Sequence, residues 1–160
     1  MMGNQGKMKL LMKRIYLDVC CLNRPFDDQD QDRIRFESEA VRFILKHIRK
    51  GDFIWIGSTV VDLELNRTPD QDRRSEMQMF TKSMVEKVTA DLKETRRAEE
   101  LELLGFGAMD ALHLACAEKA KAEVLLTKDD KFLKKGIAHS GKLNVRIANP
   151  AIWLQEVVEW

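Results

Sequence analysis

Cysteine is scarce in this sequence, and the few cysteines present are poorly spaced for a metal or redox motif. There are 3 in 160 residues. Cys20 and Cys21 are adjacent and therefore poor disulfide partners, and no pair has the C-x-x-C spacing of zinc and thiol–disulfide sites. We therefore expect Cys20, Cys21 and Cys116 to pack as small apolar side chains in a reducing cytoplasm.

Long apolar runs and glycine-rich motifs are also missing. No segment approaches the roughly 20 apolar residues that a membrane helix needs. The first residues are mixed and basic, without the apolar core of a secretion signal. There is no phosphate-binding glycine loop, dinucleotide fingerprint or nucleophilic serine motif. The sequence thus predicts a cytoplasmic protein that has no membrane partner.

The composition fits one soluble globular domain. Hydrophobic residues make up 44% of the chain and charged residues 33%, and a length of 160 residues suits a single domain. We predict a flexible N-terminal segment over residues 1–12, followed by a single domain over residues 13–160.

Charge of one sign is not in excess, because the formal net charge is only +1. There is no overall attraction to nucleic acid, but basic residues are concentrated after position 127. If that region lies beside an acidic site, it forms a basic rim that suits a polyanion; otherwise it is an ordinary solvated surface.

Short apolar runs alternate with segments of helical periodicity. The runs predict strands over residues 15–19, 53–56, 124–127 and 144–148. The helical segments cover residues 34–50, 58–68, 70–85, 91–104, 110–121, 129–135 and 150–159. This alternation predicts an α/β fold with a parallel central sheet and helices on both faces. In such sheets, ligands bind outside the carboxyl ends of the strands.

Four acidic residues lie at positions where these elements would bring them together. Asp18 and Asp129 follow predicted strands, whereas Glu64 and Asp110 lie on predicted helices. Two carboxylates about 4 Å apart repel each other by roughly 4 kcal/mol at an effective dielectric near 20. A divalent cation relieves that repulsion, and oxygen ligands favour Mg²⁺ or Mn²⁺ over zinc. The four residues therefore indicate a hard-metal site.

Each acidic residue also has a structural interpretation. Asp110 and Asp129 could cap helices, and Glu64 could be an exposed helix residue. Asp62 lies two residues before Glu64, so on a helix only one of the two can face the site. His113 is three residues after Asp110 and could neighbour the site, but a structural hydrogen bond is the preferred interpretation.

Taken together, the four acidic segments resemble the PIN-domain family. This family comprises metal-dependent nucleases and includes the VapC-type toxins of bacterial and archaeal toxin–antitoxin pairs. The resemblance lies in residues 15–26, 58–65, 110–115 and 126–132, in the order of the family's motifs. It implies a PIN-like, Rossmann-like three-layer fold and hydrolysis of RNA phosphodiester bonds.

By this resemblance, the catalytic and metal-binding residues are Asp18, Glu64, Asp110 and Asp129. Asp130 is an alternative to Asp129, which is preferred on its register against Phe132. The resemblance implies one or two Mg²⁺ or Mn²⁺ ions, an RNA substrate, an antitoxin partner and a homodimer. Supporting contacts are expected from Asn23, Ser58 and Thr127. RNA-backbone contacts are expected from Arg24, Lys128, Lys131, Lys134 and Lys135. The alternative function is a non-catalytic PIN-like module that binds RNA or protein.

Overall fold

The computed structural model describes residues 13–158, so the predicted flexible segment over residues 1–12 lies outside the described residues. The described chain forms one five-stranded parallel sheet in the order β3-β2-β1-β4-β5. The strands are β1 (Lys13–Leu17), β2 (Phe53–Ser58), β3 (Glu86–Val88), β4 (Val124–Leu126) and β5 (Arg146–Ala148). The predicted α/β fold with a parallel sheet is confirmed.

Helices connect the strands and cover both faces of the sheet. They are α1 (Val19–Asn23), α2 (Asp32–Arg49), α3 (Thr59–Asn66), α4 (Gln71–Thr81), α5 (Leu92–Leu103), α6 (Ala108–Lys119), α7 (Asp130–Ala138) and α8 (Pro150–Val157). Within residues 13–158, none of the helices has the length and apolar character that crossing a membrane requires.

The two faces of the sheet carry separate cores because successive side chains of a strand point to opposite sides. Ile15 and Leu17 of β1 pack into the core that includes α2 and α8. Tyr16, between them, packs into the core that includes α5, α6 and α7. Tyr16 is therefore directed toward the face of the sheet that α5, α6 and α7 cover, a placement that matters for the site.

Some predicted boundaries were wrong. Val19 starts α1 rather than ending the first strand, and α6 begins at Ala108, two residues before Asp110. The helix predicted over residues 129–135 continues through Gly136 and ends at Ala138. The predicted helix over residues 70–85 ends at Thr81, and the chain then forms the edge strand β3, which the sequence analysis did not predict.

Candidate metal centre

The four predicted acidic residues line one cleft at the carboxyl end of the sheet. Asp18 follows β1, and its backbone N–H donates to the carbonyl of Leu126 at the end of β4 (2.9 Å). These neighbouring strands lie where the strand order changes direction, the usual ligand position in such sheets. The cleft is lined by Asp18, Val19, Cys20, Asn23, Glu64, Arg67, Thr68, Asp110 and Asp129.

Asp18 is buried and held in one orientation by its neighbours. Its Oδ2 accepts hydrogen bonds from the Thr127 hydroxyl (2.8 Å) and from the Cys20 thiol (3.2 Å). Its Oδ1 lies 3.9 Å from Nε2 of His113. Two donors thus hold Oδ2, and the other oxygen, Oδ1, faces His113. Thr127 thus contacts Asp18 directly, and its supporting role at a metal site stays a prediction.

Glu64 belongs to a chain of hydrogen bonds that runs into the protein interior. Its Oε1 lies 2.9 Å from Nε2 of His113, and Nδ1 of that ring lies 2.7 Å from the Tyr16 hydroxyl. The hydroxyl in turn lies 2.6 Å from Oγ of Ser58. Ser58 also caps α3, because its Oγ accepts from the backbone N–H of Val61 (3.2 Å). The expected contact of Ser58 with the site is therefore indirect.

The charge of Glu64 alters the ionisation of His113. Burial alone would lower the pKa of this imidazole, but its hydrogen bond to Glu64 and the negative charge of Asp18 raise it above the ordinary value. Asp62 points away and pairs with Lys87, so only one of the two acidic residues on α3 faces the site.

Asp110 carries the clearest sign of crowded negative charge. Its pKa is raised to about 6, first by burial and then by the charges of Asp18 and Asp129. His113 opposes this rise, and Glu64 adds to it. Asp110 and His113 are one helical turn apart on α6, so they present their side chains to the same region.

Asp129, rather than Asp130, faces the cleft. Its Oδ1 accepts from the backbone N–H groups of Lys131 (2.9 Å) and Phe132 (3.4 Å), which caps α7. Asp130 instead accepts two hydrogen bonds from the guanidinium of Arg33, at 3.0 and 2.8 Å. Arg33 thus turns Asp130 away, and Asp129 serves both as helix cap and as a wall of the cleft.

Replacing Asp110 with asparagine is expected to stabilise the metal-free protein at neutral pH. The pKa of the Asp110 carboxyl is raised from 3.8 to about 6 in the folded state, so ionising this carboxyl destabilises the folded protein. The stability of the wild type is therefore unaffected by this group below about pH 4. It falls as the pH rises from there through about 6, where the folded carboxyl ionises. Thermal unfolding in EDTA should therefore show a higher midpoint for Asp110→Asn than for wild type at pH 7.5, with the difference shrinking toward pH 4.

Wild type and variant unfolding at the same temperature at pH 7.5 would contradict this account of Asp110. In Mn²⁺ the order should reverse, because the metal stabilises the state that binds it and the variant has lost one ligand.

The basic residues that border the cleft differ partly from those expected. Arg67 lines it directly, and Lys128 lines two adjoining clefts. Lys131 borders one of these, whereas Lys134 and Lys135 border none of the three.

Arg24 lines one of the adjoining clefts, but its side chain is engaged in ion pairs within the protein. It is 9% exposed, and its guanidinium donates to Glu37 (2.9 Å) and Asp27 (3.1 Å). Its side chain fastens the loop after α1 to α2, which argues against the RNA contact expected from the sequence.

The donor set fits a divalent cation. Asp18, Glu64 and His113 each offer a ligand atom, and these atoms all lie within 4.8 Å of one another. Asp110 and Asp129 add carboxylates in the same cleft. Such a concentration of negative charge is costly without a counterion, and carboxylate oxygens are the usual ligands of Mg²⁺ and Mn²⁺.

Two residues of this site were assigned to other roles by sequence reasoning. Cys20 was expected in the core, but it is partly exposed and hydrogen-bonds Asp18. His113 does make a structural hydrogen bond, as preferred, but its partner is Glu64 of the site itself. The spacing of His113 from Asp110 was the one available signal. The position of Cys20 depends on α1, a helix of five residues that was not predicted.

Comparison with known proteins agrees with the fold. The family model of the PIN domain matches residues 15–138. Among solved structures, the chain is similar to one in the crystal structure of VapBC2 from Rickettsia felis bound to a DNA fragment from their promoter, with a TM-score of 0.54 and 19% identity. The alignment covers 85% of this chain and 98% of that chain. No curated protein matches significantly.

The family match contains all four acidic segments on which the resemblance was based, and it extends from β1 into α7. It covers well over half of the chain. The protein therefore belongs to the PIN domain family.

Proposed function

We propose that this protein is a metal-dependent endoribonuclease that hydrolyses RNA phosphodiester bonds. The observation that carries the proposal is the convergence of Asp18, Glu64, Asp110 and Asp129 on one cleft. A bound cation would compensate the charge of these carboxylates, and the pKa of Asp110 is raised to about 6 first by burial and then by the charges of Asp18 and Asp129.

In this mechanism the carboxylates of Asp18, Glu64, Asp110 and Asp129 hold one or two Mg²⁺ or Mn²⁺ ions. When bound, a divalent cation supplies Lewis acidity: it makes water a stronger acid and stabilises charge on phosphate oxygens. The protein contributes rigidity, because Thr127 and Cys20 fix Asp18 and the backbone of α7 fixes Asp129. One of these carboxylates would also orient the attacking water by accepting a hydrogen bond from it.

Basic side chains beside the cleft provide a path for the RNA backbone. Arg67 lies one turn after Glu64 and lines the same cleft. The adjoining cleft shares Cys20, Asn23 and Thr68 with it and adds Arg73 and Lys128. Contacts of this kind position a strand without reading its sequence. We therefore assign backbone binding to Arg67 and Lys128, with Lys131 farther along the same edge.

Removing the charge of Arg67 or Lys128 is expected to weaken RNA binding and to lower its salt dependence. Each lost phosphate contact should reduce the slope of log affinity against log salt by roughly 0.7. The measurement is a salt titration of a single-stranded RNA with Arg67→Ala or Lys128→Ala, each combined with Asp18→Asn to prevent turnover. Lys134→Ala is the matched control, and a loss of affinity there as large as at Arg67 would refute this path.

Cleavage of end-labelled RNA tests the function itself. Structured and unstructured RNAs, and a DNA of the same sequence, are incubated with the protein in Mg²⁺, Mn²⁺ or EDTA. The proposal expects RNA fragments with 5′-phosphate and 3′-hydroxyl ends that form only with metal. Tight RNA binding without turnover in Mn²⁺ would instead favour a non-catalytic module. The presence of four acidic residues in one cleft argues against that alternative. Cleavage of the DNA but not of the RNA would show that the protein is a deoxyribonuclease and would refute the proposed ribonuclease.

We further propose that the nuclease is the toxin of a type II toxin–antitoxin pair. The fold it shares with a chain of the VapBC2 complex supports this biological role. An antitoxin segment that covers the cleft would then block both the acidic residues and the basic edge. Growth arrest upon expression of wild type but not of Asp18→Asn would support toxicity, and unimpaired growth with an active enzyme would refute it.

A further inference from the structure

The metal centre contains a nitrogen donor beside its carboxylates. His113 is fully buried on α6, beneath Glu64, and its Nε2 lies 2.9 Å from Oε1 of Glu64 and 3.9 Å from Oδ1 of Asp18. No other histidine of the described chain belongs to this group of potential ligands. Nε2 of His113 faces two carboxylates, so either a proton or a metal ion is expected between the nitrogen and these oxygens.

The spacing of these atoms suits joint ligation. Zinc lies about 2.0–2.1 Å from histidine nitrogen and about 2.0–2.2 Å from carboxylate oxygen. Two such ligands around one tetrahedral zinc lie roughly 3.3 Å apart. Nε2 of His113 lies 2.9 Å from Oε1 of Glu64 and 3.9 Å from Oδ1 of Asp18, so the two observed separations bracket that value. The proton that can bridge these atoms therefore occupies a position that a metal can take with small shifts of the side chains.

The second ring nitrogen of His113, Nδ1, has the hydrogen-bond partner that is typical of a metal-binding histidine. A histidine that binds metal through one nitrogen usually donates its second N–H to a fixed acceptor, which sets the tautomer and the ring orientation. Here Nδ1 lies 2.7 Å from the hydroxyl of Tyr16, which lies 2.6 Å from Oγ of Ser58. When Nδ1 donates to Tyr16, that hydroxyl donates to Ser58, and the lone pair of Nε2 is directed at the site.

We propose that His113 is a metal ligand and that it shifts the preference of the centre from Mg²⁺ toward first-row transition metals. Mg²⁺ prefers oxygen ligands, whereas imidazole suits Zn²⁺, Fe²⁺ and related ions. Affinity for a site with nitrogen and oxygen donors rises from Mn²⁺ through Co²⁺ toward Zn²⁺. The inference rests on the proposed metal centre, but it concerns binding and is tested without RNA.

The variant His113→Gln distinguishes metal ligation by His113 from its hydrogen bond to Glu64. Its side-chain amide can still donate to Glu64 from nearly the position of Nε2, but it lacks the imidazole lone pair. Co²⁺ binding is followed by its visible absorption spectrum and by competition with a chromogenic chelator. We expect His113→Gln to lose at least tenfold in Co²⁺ affinity with a changed spectrum, since even outer partners of a ligand contribute about 10–100-fold. Mg²⁺ affinity should stay close to that of wild type.

Tyr16→Phe and Asp62→Asn complete the comparison. Phenylalanine keeps the buried ring of Tyr16 but removes the acceptor for Nδ1, and it should weaken Co²⁺ binding about 10–100-fold. Asp62 pairs with Lys87 outside the cleft, so its substitution should change nothing. An unchanged Co²⁺ spectrum and affinity in folded His113→Gln would overturn the proposal and leave His113 as a hydrogen-bond donor to Glu64.

The two proposals fail in different ways. Loss of Co²⁺ affinity in His113→Gln without any RNA cleavage by wild type would support the ligand and refute the nuclease. Metal-dependent cleavage by wild type together with unchanged Co²⁺ binding in His113→Gln would refute the ligand and support the nuclease.

Discussion

Asp18→Asn is expected to reduce metal-dependent RNA cleavage by at least about 100-fold. Removing even an outer partner of a metal ligand costs roughly 10–100-fold, and Asp18 lies at the centre of the ligand set. It follows β1 directly, and its Oδ1 faces His113 while its Oδ2 is held by Thr127. Asparagine keeps the size of the side chain, so the loss should come from the charge and not from the fold.

The comparison needs a control on an acidic residue of the same neighbourhood. Asp62 lies on α3 two residues before Glu64, but it pairs with Lys87. Asp62→Asn should cleave RNA like wild type, and both variants should show the circular dichroism of the native protein. Initial cleavage rates in saturating Mn²⁺ provide the measurement. If Asp18→Asn retains metal-dependent cleavage, the assignment of the metal centre is wrong.

Glu37→Ala is expected to cause the largest loss of stability, about 3–5 kcal/mol. Glu37 on α2 is only 2% exposed, and its carboxylate accepts from Arg24 (2.9 Å) and Arg33 (3.3 Å). It also accepts from Asn149, whose own side chain caps α8. Removing one partner of a buried ion pair leaves the other charge uncompensated, which accounts for this magnitude.

Denaturant unfolding measures the effect of Glu37→Ala, with Glu86→Ala as the control. Glu86 pairs with Arg14 at the surface, where ion pairs contribute little, so its midpoint should hardly move. The Glu37 variant should unfold at a much lower denaturant concentration. An unchanged midpoint would mean that Arg24 is not held by this network. It would also restore Arg24 as a candidate for RNA contact.

Much of the fold was accessible from the sequence because its central strands are short apolar runs. β1 and β4 are buried on both faces, so their composition distinguishes them from helices. The edge strand β3 could not be recognised in this way. It contains Glu86, Lys87 and Val88, and it is specified by pairing with β2 rather than by its own pattern.

The acidic residues of the site were predictable for a related reason. Asp18 and Asp129 follow neighbouring parallel strands, and a simple topological rule places such residues at one edge. Helical periodicity predicted that only one of Asp62 and Glu64 faces the site, and in the structure Glu64 lines the cleft while Asp62 pairs with Lys87. These inferences required only local pattern and the order of the elements.

The remaining features depend on contacts between distant parts of the chain. Tyr16 and His113 meet only because β1 and α6 pack together, and nothing in either segment indicates the other. The sequence places Arg24 in a loop, where a basic residue is usually exposed. Only the fold shows that its guanidinium pairs with Glu37 of α2. The choice between Asp129 and Asp130 is determined by Arg33, which draws one of them away.

The most direct test of the central claim is a crystal structure of wild type grown in Mn²⁺, with the metal located by its anomalous scattering. The same preparation is assayed for RNA cleavage. We expect a peak within bonding distance of Asp18 and Glu64, in the cleft that Asp110 and Asp129 complete. Metal-dependent cleavage by protein whose anomalous map shows no peak in that cleft would contradict the account.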